Sequence, residues 1–159
     1  MIKKIMYIGV PVAAADQLIK AYIRCKPQGK TLFEIPGIAA ITPSFNTGAA
    51  FSLLSGQTAF LAVLSAVLLL VLCVYVNRAL HLSRAAQTSL CFLIGGGVGN
   101  LIDRIVYGGV TDYIRLLPID FPIFNLADIA VTGSVAALLM LLFTGMLEKT
   151  TGEEHGSNH

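Results

Sequence analysis

Ala59-Phe60-Leu61-Ala62-Val63-Leu64-Ser65-Ala66-Val67-Leu68-Leu69-Leu70-Val71-Leu72-Cys73-Val74-Tyr75-Val76 is the run that decides the fold. It carries no charge and is built mainly of Leu, Val and Ala. A bilayer core needs about 20 mainly apolar residues per helix, and this run meets that demand. The rest of the chain agrees with it. The 159 residues are 55% hydrophobic and only 13% charged, with a mean hydropathy of +0.76. A soluble domain of this size would carry about twice that charge fraction. No Lys, Arg, Asp or Glu occurs anywhere from Ile35 to Asn77. A net charge of +2 offers no basic patch, so nothing points to nucleic acid.

Three more spans flank that run. The first covers about 4–23 and carries Asp16 and Lys20 late in its course. The run itself lies in a span of about 58–77, and the other two cover about 85–103 and 124–147, the last uncharged from Ile129 to Leu147. The expected class is therefore an all-α integral membrane protein, a four-transmembrane-helix bundle. Residues 24–57 differ in kind, with prolines at 27, 36 and 43 and glycines at 29, 37, 48 and 56. Leu32–Ile35 and Ile38–Ile41 read as short strands broken by the Pro36-Gly37 turn, giving a small extended lobe on one membrane face. Residues 1–149 form one domain in this reading, and 150–159 a polar, disordered tail.

The first span also imitates a cleavable secretory signal: Lys3-Lys4, an apolar run from Ile5 to Val12, then Ala13-Ala14-Ala15. Against cleavage, apolar character resumes beyond those alanines. Asp16 and Lys20 also stand at i, i+4 with the acid first, the better order for a helical pair. Cys25 lacks the small preceding residues that a lipoprotein signal needs.

The polar residues then become informative. An ionisable side chain at bilayer depth costs roughly 3 kcal/mol on insertion scales and is rare without a role. This chain concentrates such groups in Gly99-Asn100-Leu101-Ile102-Asp103-Arg104, Thr111-Asp112-Tyr113 and Phe124-Asn125-Leu126-Ala127-Asp128. Four alternating spans bring Asp16, Asn46, Asn100, Asp103, Asp112, Asn125 and Asp128 to one face. The termini and the Asn77–Arg84 loop take the other. Lys and Arg are split almost evenly between the faces, so charge bias does not orient the chain.

Asp112 lies in the loop before span four and Asp128 at the head of that span, so the two carboxyls can face each other. Held close, two carboxyls do not both ionise; one keeps a proton while the other acts as a base, and they titrate as a unit. That pair activates water against a peptide carbonyl and protonates the departing amine. Cys25, Cys73 and Cys91 have no well-placed His partner and no disulfide spacing, and His81, His155 and His159 have no metal-ligand spacing. Blander roles stand beside this one. Asp103 with Arg104 reads as a buried ion pair, Asn125 as a helix cap, and Gly95-x-x-x-Gly99 as a close helix contact rather than a phosphate loop. A proton- or ion-coupled carrier and a Mg²⁺-dependent lipid-phosphate hydrolase are the competing classes. The carrier wants polar groups on both faces, and the hydrolase wants more carboxylates and a basic cluster.

In order along the chain, Asp16-Gln17 with Lys20, Phe33–Gly37, Asn46–Phe51, Gly96–Arg104, Val110–Tyr113 and Phe124–Asp128 resemble the motifs of the lipoprotein signal peptidases, the type II signal peptidases of bacteria. The resemblance covers nearly the whole chain. Thr111 and Tyr113 depart from it, standing where an aliphatic residue and Phe are usual. It implies an intramembrane aspartyl endopeptidase that removes signal peptides from prolipoproteins, cutting before a diacylglyceryl-modified cysteine. It assigns Asp112 and Asp128 as the catalytic dyad. Asn46, Gly48, Asn100, Arg104, Asn125 and Ala127 would bind substrate or orient the dyad, and Asp16, Lys20 and Asp103 would support the site. It also implies no metal or cofactor and a monomer among membrane lipids in the bacterial inner membrane. Both termini would be cytoplasmic and the site near the outer leaflet. In that frame residues 27–57 would clamp the peptide, and an amphipathic loop around Arg115–Phe121 would close over it.

Overall fold

The structure, a computed structural model, describes residues 2–49, 53–78 and 82–148. The tail expected at 150–159 lies outside them, as do Ala50 and Phe51. The chain starts with helix α1 (Ile2–Lys4), a π-helical stretch (Ile5–Gly9) and α2 (Val10–Arg24), which follow one another without a break. Pro11 has no N–H to offer the preceding turn, and the wider turn, closed by the Val10 N–H on the Ile5 carbonyl, accommodates it. Ala13–Ala15 lie inside α2, which continues past them to place Asp16 and Lys20 in the interior.

α3 (Thr58–Arg78), α4 (Arg84–Tyr107) and α5 (Leu126–Phe143) follow. These three are the described helices long and apolar enough to cross a membrane. α2 is shorter and carries Asp16, Lys20 and Arg24. α4 starts at Ser83, whose hydroxyl accepts the Ala86 N–H at 3.3 Å, and stops at Gly108, whose φ of +76° ends the helix in the left-handed region. It runs four residues beyond Asp103, so Asp103 and Arg104 are both helical.

α4 is the central helix and packs on the π-helical stretch, α2, α3 and α5. Its glycines make this possible. A Cβ on Gly95 would meet the Gly9 carbonyl at 2.5 Å, one on Gly96 the Ala127 carbonyl at 2.6 Å, one on Gly97 Leu69 at 2.8 Å and one on Gly99 Asp16 at 2.5 Å. Each glycine faces a different element, so the glycine stretch is a packing device, as its spacing implies. Apolar packing is concentrated at the terminal end, where Val76, Leu82, Ala86 and Leu90 are buried with Leu72, Leu93 and Leu138 against them. Large apolar residues on α3 and α5, such as Leu68, Leu70, Met140 and Phe143, face outward, as helices surrounded by lipid require.

The other end carries a three-stranded antiparallel sheet in the order β1 (Phe33–Ile35), β2 (Ala39–Asn46), β3 (Val110–Leu116). β1 and β2 form the hairpin expected around Pro36-Gly37, with Phe33 opposite Ile41, Ile35 opposite Ala39, and Gly37 at φ +72° in the turn. β3 is not expected from the sequence. The stretch containing Asp112 is a strand rather than a loop, and the loop expected from Arg115 begins only after Leu116. Between Ile41 and Ser44 the register slips, because β2 spends an extra residue around Pro43, which has no ladder N–H. The slip sets Ser44 opposite Asp112 and Asn46 opposite Val110, so Asn46 projects on the Asp112 face.

Candidate active site

The site forms where α2, α4, β3 and the start of α5 meet. On α2, Asp16 and Lys20 are completely buried and paired at 2.9 Å. Lys20 also approaches Asp103 on α4 at 3.4 Å and donates to the Asn100 side-chain oxygen at 2.8 Å. Gln17 donates to the Gly99 carbonyl and to Asp103, each at 2.9 Å. At the end of α2, Arg24 reaches Asp103 at 3.2 Å and the Thr111 hydroxyl at 3.3 Å, and its guanidinium lies 4.0 Å over the Tyr107 ring.

Asp103 therefore pairs with Lys20 and Arg24, not with its neighbour Arg104. Adjacent residues on a helix point to different faces. Asp103 turns inward and accepts the Thr111 N–H at 2.9 Å, pinning the start of β3. Arg104 turns to the cavity, near the Gly48 carbonyl at 3.5 Å.

The start of α5 is held by three elements. Asn125 caps it by accepting the Asp128 N–H at 2.9 Å, and the Asp128 carboxylate takes the Asn125 N–H at 3.1 Å, a closed capping box. Asp16 accepts the Ala127 N–H at 3.0 Å from α2, and the Tyr113 hydroxyl accepts the Leu126 N–H at 3.2 Å from β3. Burial, offset in part by this bond, pushes the Tyr113 hydroxyl pKa up to about 12, so it stays neutral. A helix start normally leaves such N–H groups without partners. Here they fix Asp128 in place.

Asp112 and Asp128 both line one cavity of about 490 Å³. Asp112 accepts from Asn125 Nδ2 at 2.7 Å and from Asn46 Nδ2 at 3.2 Å. Asp128 accepts from Asn100 Nδ2 at 2.7 Å. Asn125 is thus a cap and also a bridge, since its amide donates to Asp112 and, at 3.2 Å, to Asn100. Burial first, and the neighbouring Asp128 charge second, push the Asp112 carboxyl up to about 7. The amides of Asn125 and Asn46 and the charge of Lys20 pull the other way. The cavity continues from the carboxyls along α5 past Ile129, Thr132 and Gly133, and Phe121, Pro122 and Phe124 wall its mouth. Phe121 and Phe124 meet edge to face at 5.8 Å.

Every residue singled out from the sequence falls in this region, in two layers. Asn46, Asn100, Arg104, Asp112 and Asp128 line the cavity, while Asp16, Lys20, Asp103, Asn125 and Ala127 are buried behind it. Gly48 lies at the edge, its N–H donated to the Asn46 side-chain oxygen at 2.9 Å. Sequence reasoning missed Arg24, the hydroxyls of Thr111 and Tyr113, and the Thr132–Gly133 wall. Spacing offered a signal for two of these: Arg24 is one turn beyond Lys20, and Thr132 one turn beyond Asp128.

The chain matches known proteins over its length. It is 38% identical over 128 residues to the lipoprotein signal peptidase of Gloeobacter violaceus, spanning 80% of this chain and 74% of that one. To the lipoprotein signal peptidase of Streptococcus thermophilus it is 34% identical over 158 residues, covering 96% of this chain and 98% of that one. A solved bacterial membrane enzyme, determined by the in meso method at 2.3 Å, superposes with a TM-score of 0.85 at 29% identity over 100% of this chain and 96% of its own. The family described as signal peptidase (SPase) II matches residues 8–144, from the π-helical stretch through α5, and the chain belongs to that family.

Proposed function

We propose that the chain is an intramembrane aspartyl endopeptidase that removes signal peptides from prolipoproteins, cutting just before the diacylglyceryl-modified cysteine. The observation that carries this reading is the pair Asp112 and Asp128. They come from a strand and a helix, are linked through Asn125, and open onto one cavity that runs along an apolar helix. Asp112 holds the shared proton, in keeping with its raised pKa of about 7. Asp128 takes a proton from water, the hydroxide adds to the scissile carbonyl carbon, and Asp112 protonates the carbonyl oxygen. Asp128 then passes its proton to the cysteine nitrogen as the C–N bond breaks, and Asp112 recovers its proton from the collapsing diol. Asn46 and Asn100 hold the carboxyls, and Arg104 with Gly48 binds the peptide backbone.

In this reading α1–α2 with its π-helical turn is a fourth span, so both termini are cytoplasmic and the sheet lies at the outer leaflet of the inner membrane. A lipid-anchored substrate enters sideways from the bilayer, along the Ile129–Gly133 stretch of α5 that lines the cavity. The enzyme acts as a monomer within one domain, surrounded by lipid, and uses no metal.

The test is cleavage of a synthetic diacylglyceryl-prolipoprotein by purified protein in detergent with EDTA present. The parent should cut before the lipidated cysteine, and folded Asp112→Asn and Asp128→Asn should each lose at least about 10³-fold in kcat. Cleavage by either variant would end the dyad assignment, and loss of parental activity on chelation would replace it with a metal mechanism.

A further inference from the structure

Three asparagine amides surround the two carboxyls, and each presents its nitrogen to a carboxylate rather than its oxygen. An amide has a donor end and an acceptor end of nearly the same shape, so something must choose between them. For Asn46 the chooser is the Gly48 N–H, which donates to its oxygen at 2.9 Å. For Asn125 it is the Asp128 N–H, also at 2.9 Å. Among the described residues Asn100 has no backbone N–H on its side-chain oxygen. It has Lys20 Nζ at 2.8 Å, and Asn125 Nδ2 more loosely at 3.2 Å.

On this basis, and resting on the aspartyl dyad proposed above, we infer that Lys20 is a positioning residue: its ammonium holds the Asn100 side-chain oxygen and so turns the Asn100 amide nitrogen toward Asp128. An ammonium has three donors and no acceptor. Asp16, Asp103 and Asn100 supply three acceptors at 2.9, 3.4 and 2.8 Å around a side chain with no exposure. If the Asn100 amide turned over, its NH₂ would face the ammonium and the Asn125 NH₂, and its oxygen would face the Asp128 carboxylate. Both encounters are repulsive. Among the described residues Lys20 makes no hydrogen bond or ion pair with either aspartate of the dyad, so, apart from the reach of its charge to Asp112, it acts on the site through Asn100. Neutralising Asp16 and Asp103 is the other role open to it, and that role alone would affect folding but not the chemical step.

A double-mutant cycle separates the two roles, run in the detergent assay above. Lys20→Met alone would strand the Asp16 charge in the interior. The pair Asp16→Asn, Lys20→Met removes the ion pair as a unit. It leaves Asp103 with Arg24 and Gln17, and leaves an oxygen at position 16 for the Ala127 N–H. For the folded fraction, this variant should lose roughly 10- to 100-fold in kcat at unchanged KM, the range for a hydrogen bond to a charged group. The high-pH limb of its rate profile should shift as well. Asn100→Ala should lose at least as much. The combined variant should fall no further than about twofold below Asn100→Ala, because the lysine has nothing left to position. If the losses multiply, or if the pair variant lowers Tm while keeping parental kcat, Lys20 is structural and the inference fails. If that variant does not fold, Asp16→Asn with Lys20→Gln takes its place in the cycle, and multiplying losses or a parental kcat again overturn the inference. Active Asp112→Asn or Asp128→Asn would instead remove the dyad itself, so the two failures are told apart by the same set of proteins.

Discussion

Asp112 and Asp128 reach one cavity from opposite kinds of scaffold. Asp112 stands on β3, in a sheet whose outer strand, β1, is exposed along its whole length. Its outer donor, Asn46, is held by a single backbone N–H from Gly48. Asp128 stands in the first turn of α5, where Asp16, Asn125 and Tyr113 occupy the leading N–H groups and Lys20 braces Asn100 from behind. Asp16 and Lys20 are fully buried between α2 and α4. One carboxyl is thus mounted on a strand of the sheet, and the other on the helix bundle. For an enzyme whose substrate arrives along the membrane, this division makes sense. On the proposed mechanism the bundle sets the position of the base and the sheet that of the acid.

The strongest way to break the fixed side is to push α4 off α5. Gly96→Ala would drive a Cβ to 2.6 Å from the Ala127 carbonyl, a backbone atom that cannot step aside. We expect a loss of about 1–3 kcal/mol, seen as a lower Tm, together with most of the activity. Gly133→Ala on the cavity wall of α5 meets nothing within 4 Å, and its Tm should match the parent. Equal Tm values for the two variants would mean that the α4–α5 contact does not hold Asp128.

The side mounted on the sheet is probed by pH. The folded-state pKa of Asp112, about 7, lies above the ordinary 3.8, so the native protein holds a proton that the unfolded chain releases. That contribution to stability is complete below about pH 4 and is lost as pH rises to 7. Asp112→Asn carries no such charge. It should match the parent near pH 4 and exceed it at pH 8, by on the order of 2 kcal/mol in thermal or denaturant unfolding. A variant no more stable than the parent at pH 8 would show that the Asp112 carboxylate ionises without cost. On the proposed mechanism, activity of the parent should fall as pH rises through about 7, where Asp112 loses the proton it donates.

A smaller effect is expected one step further out. Asn46→Ala removes one of the two amides on Asp112 and leaves Asn125 in place, so kcat should fall about tenfold with little change in Tm. A Tm loss as large as that of Gly96→Ala would contradict the division between lobe and bundle.

These contrasts also explain what the sequence reveals and what it hides. The apolar helices are legible because a bilayer demands long uncharged runs, and α3 and α5 supply them without interruption. The buried face of the first helix is legible through Asp16 and Lys20, which have no reason to stand in an apolar helix except to meet partners. β3 is hidden because its pairing partner, β2, lies more than sixty residues away in sequence and Val110–Tyr113 is buried at every position. No alternation survives to mark it as a strand. The Asp103–Arg24 pair is hidden behind the more obvious Asp103–Arg104 adjacency, which helix geometry rules out. Hydroxyl groups that accept backbone N–H bonds leave no trace in a sequence.

Tyr113 is the last of these and the mildest to test. It is buried on β3 beside Asp112, and its hydroxyl accepts the Leu126 backbone N–H at the start of α5, where Asp112 meets the cap only through the Asn125 side chain. Tyr113→Phe keeps the ring and removes that acceptor, which leaves the Leu126 N–H without its partner. The penalty for one such group is about 1 kcal/mol. Because Asp16 and Asn125 still hold Ala127 and Asp128, the bundle should keep the helix start in place. Tm should therefore drop slightly, and kcat should change by no more than a few-fold. Hydrogen exchange gives the local readout: the Leu126 amide should lose protection while Ala127 and Asp128 keep theirs. If all three amides opened together, the strand would be as important as the bundle in fixing Asp128, and the two carboxyls would have to be regarded as mounted on a single unit.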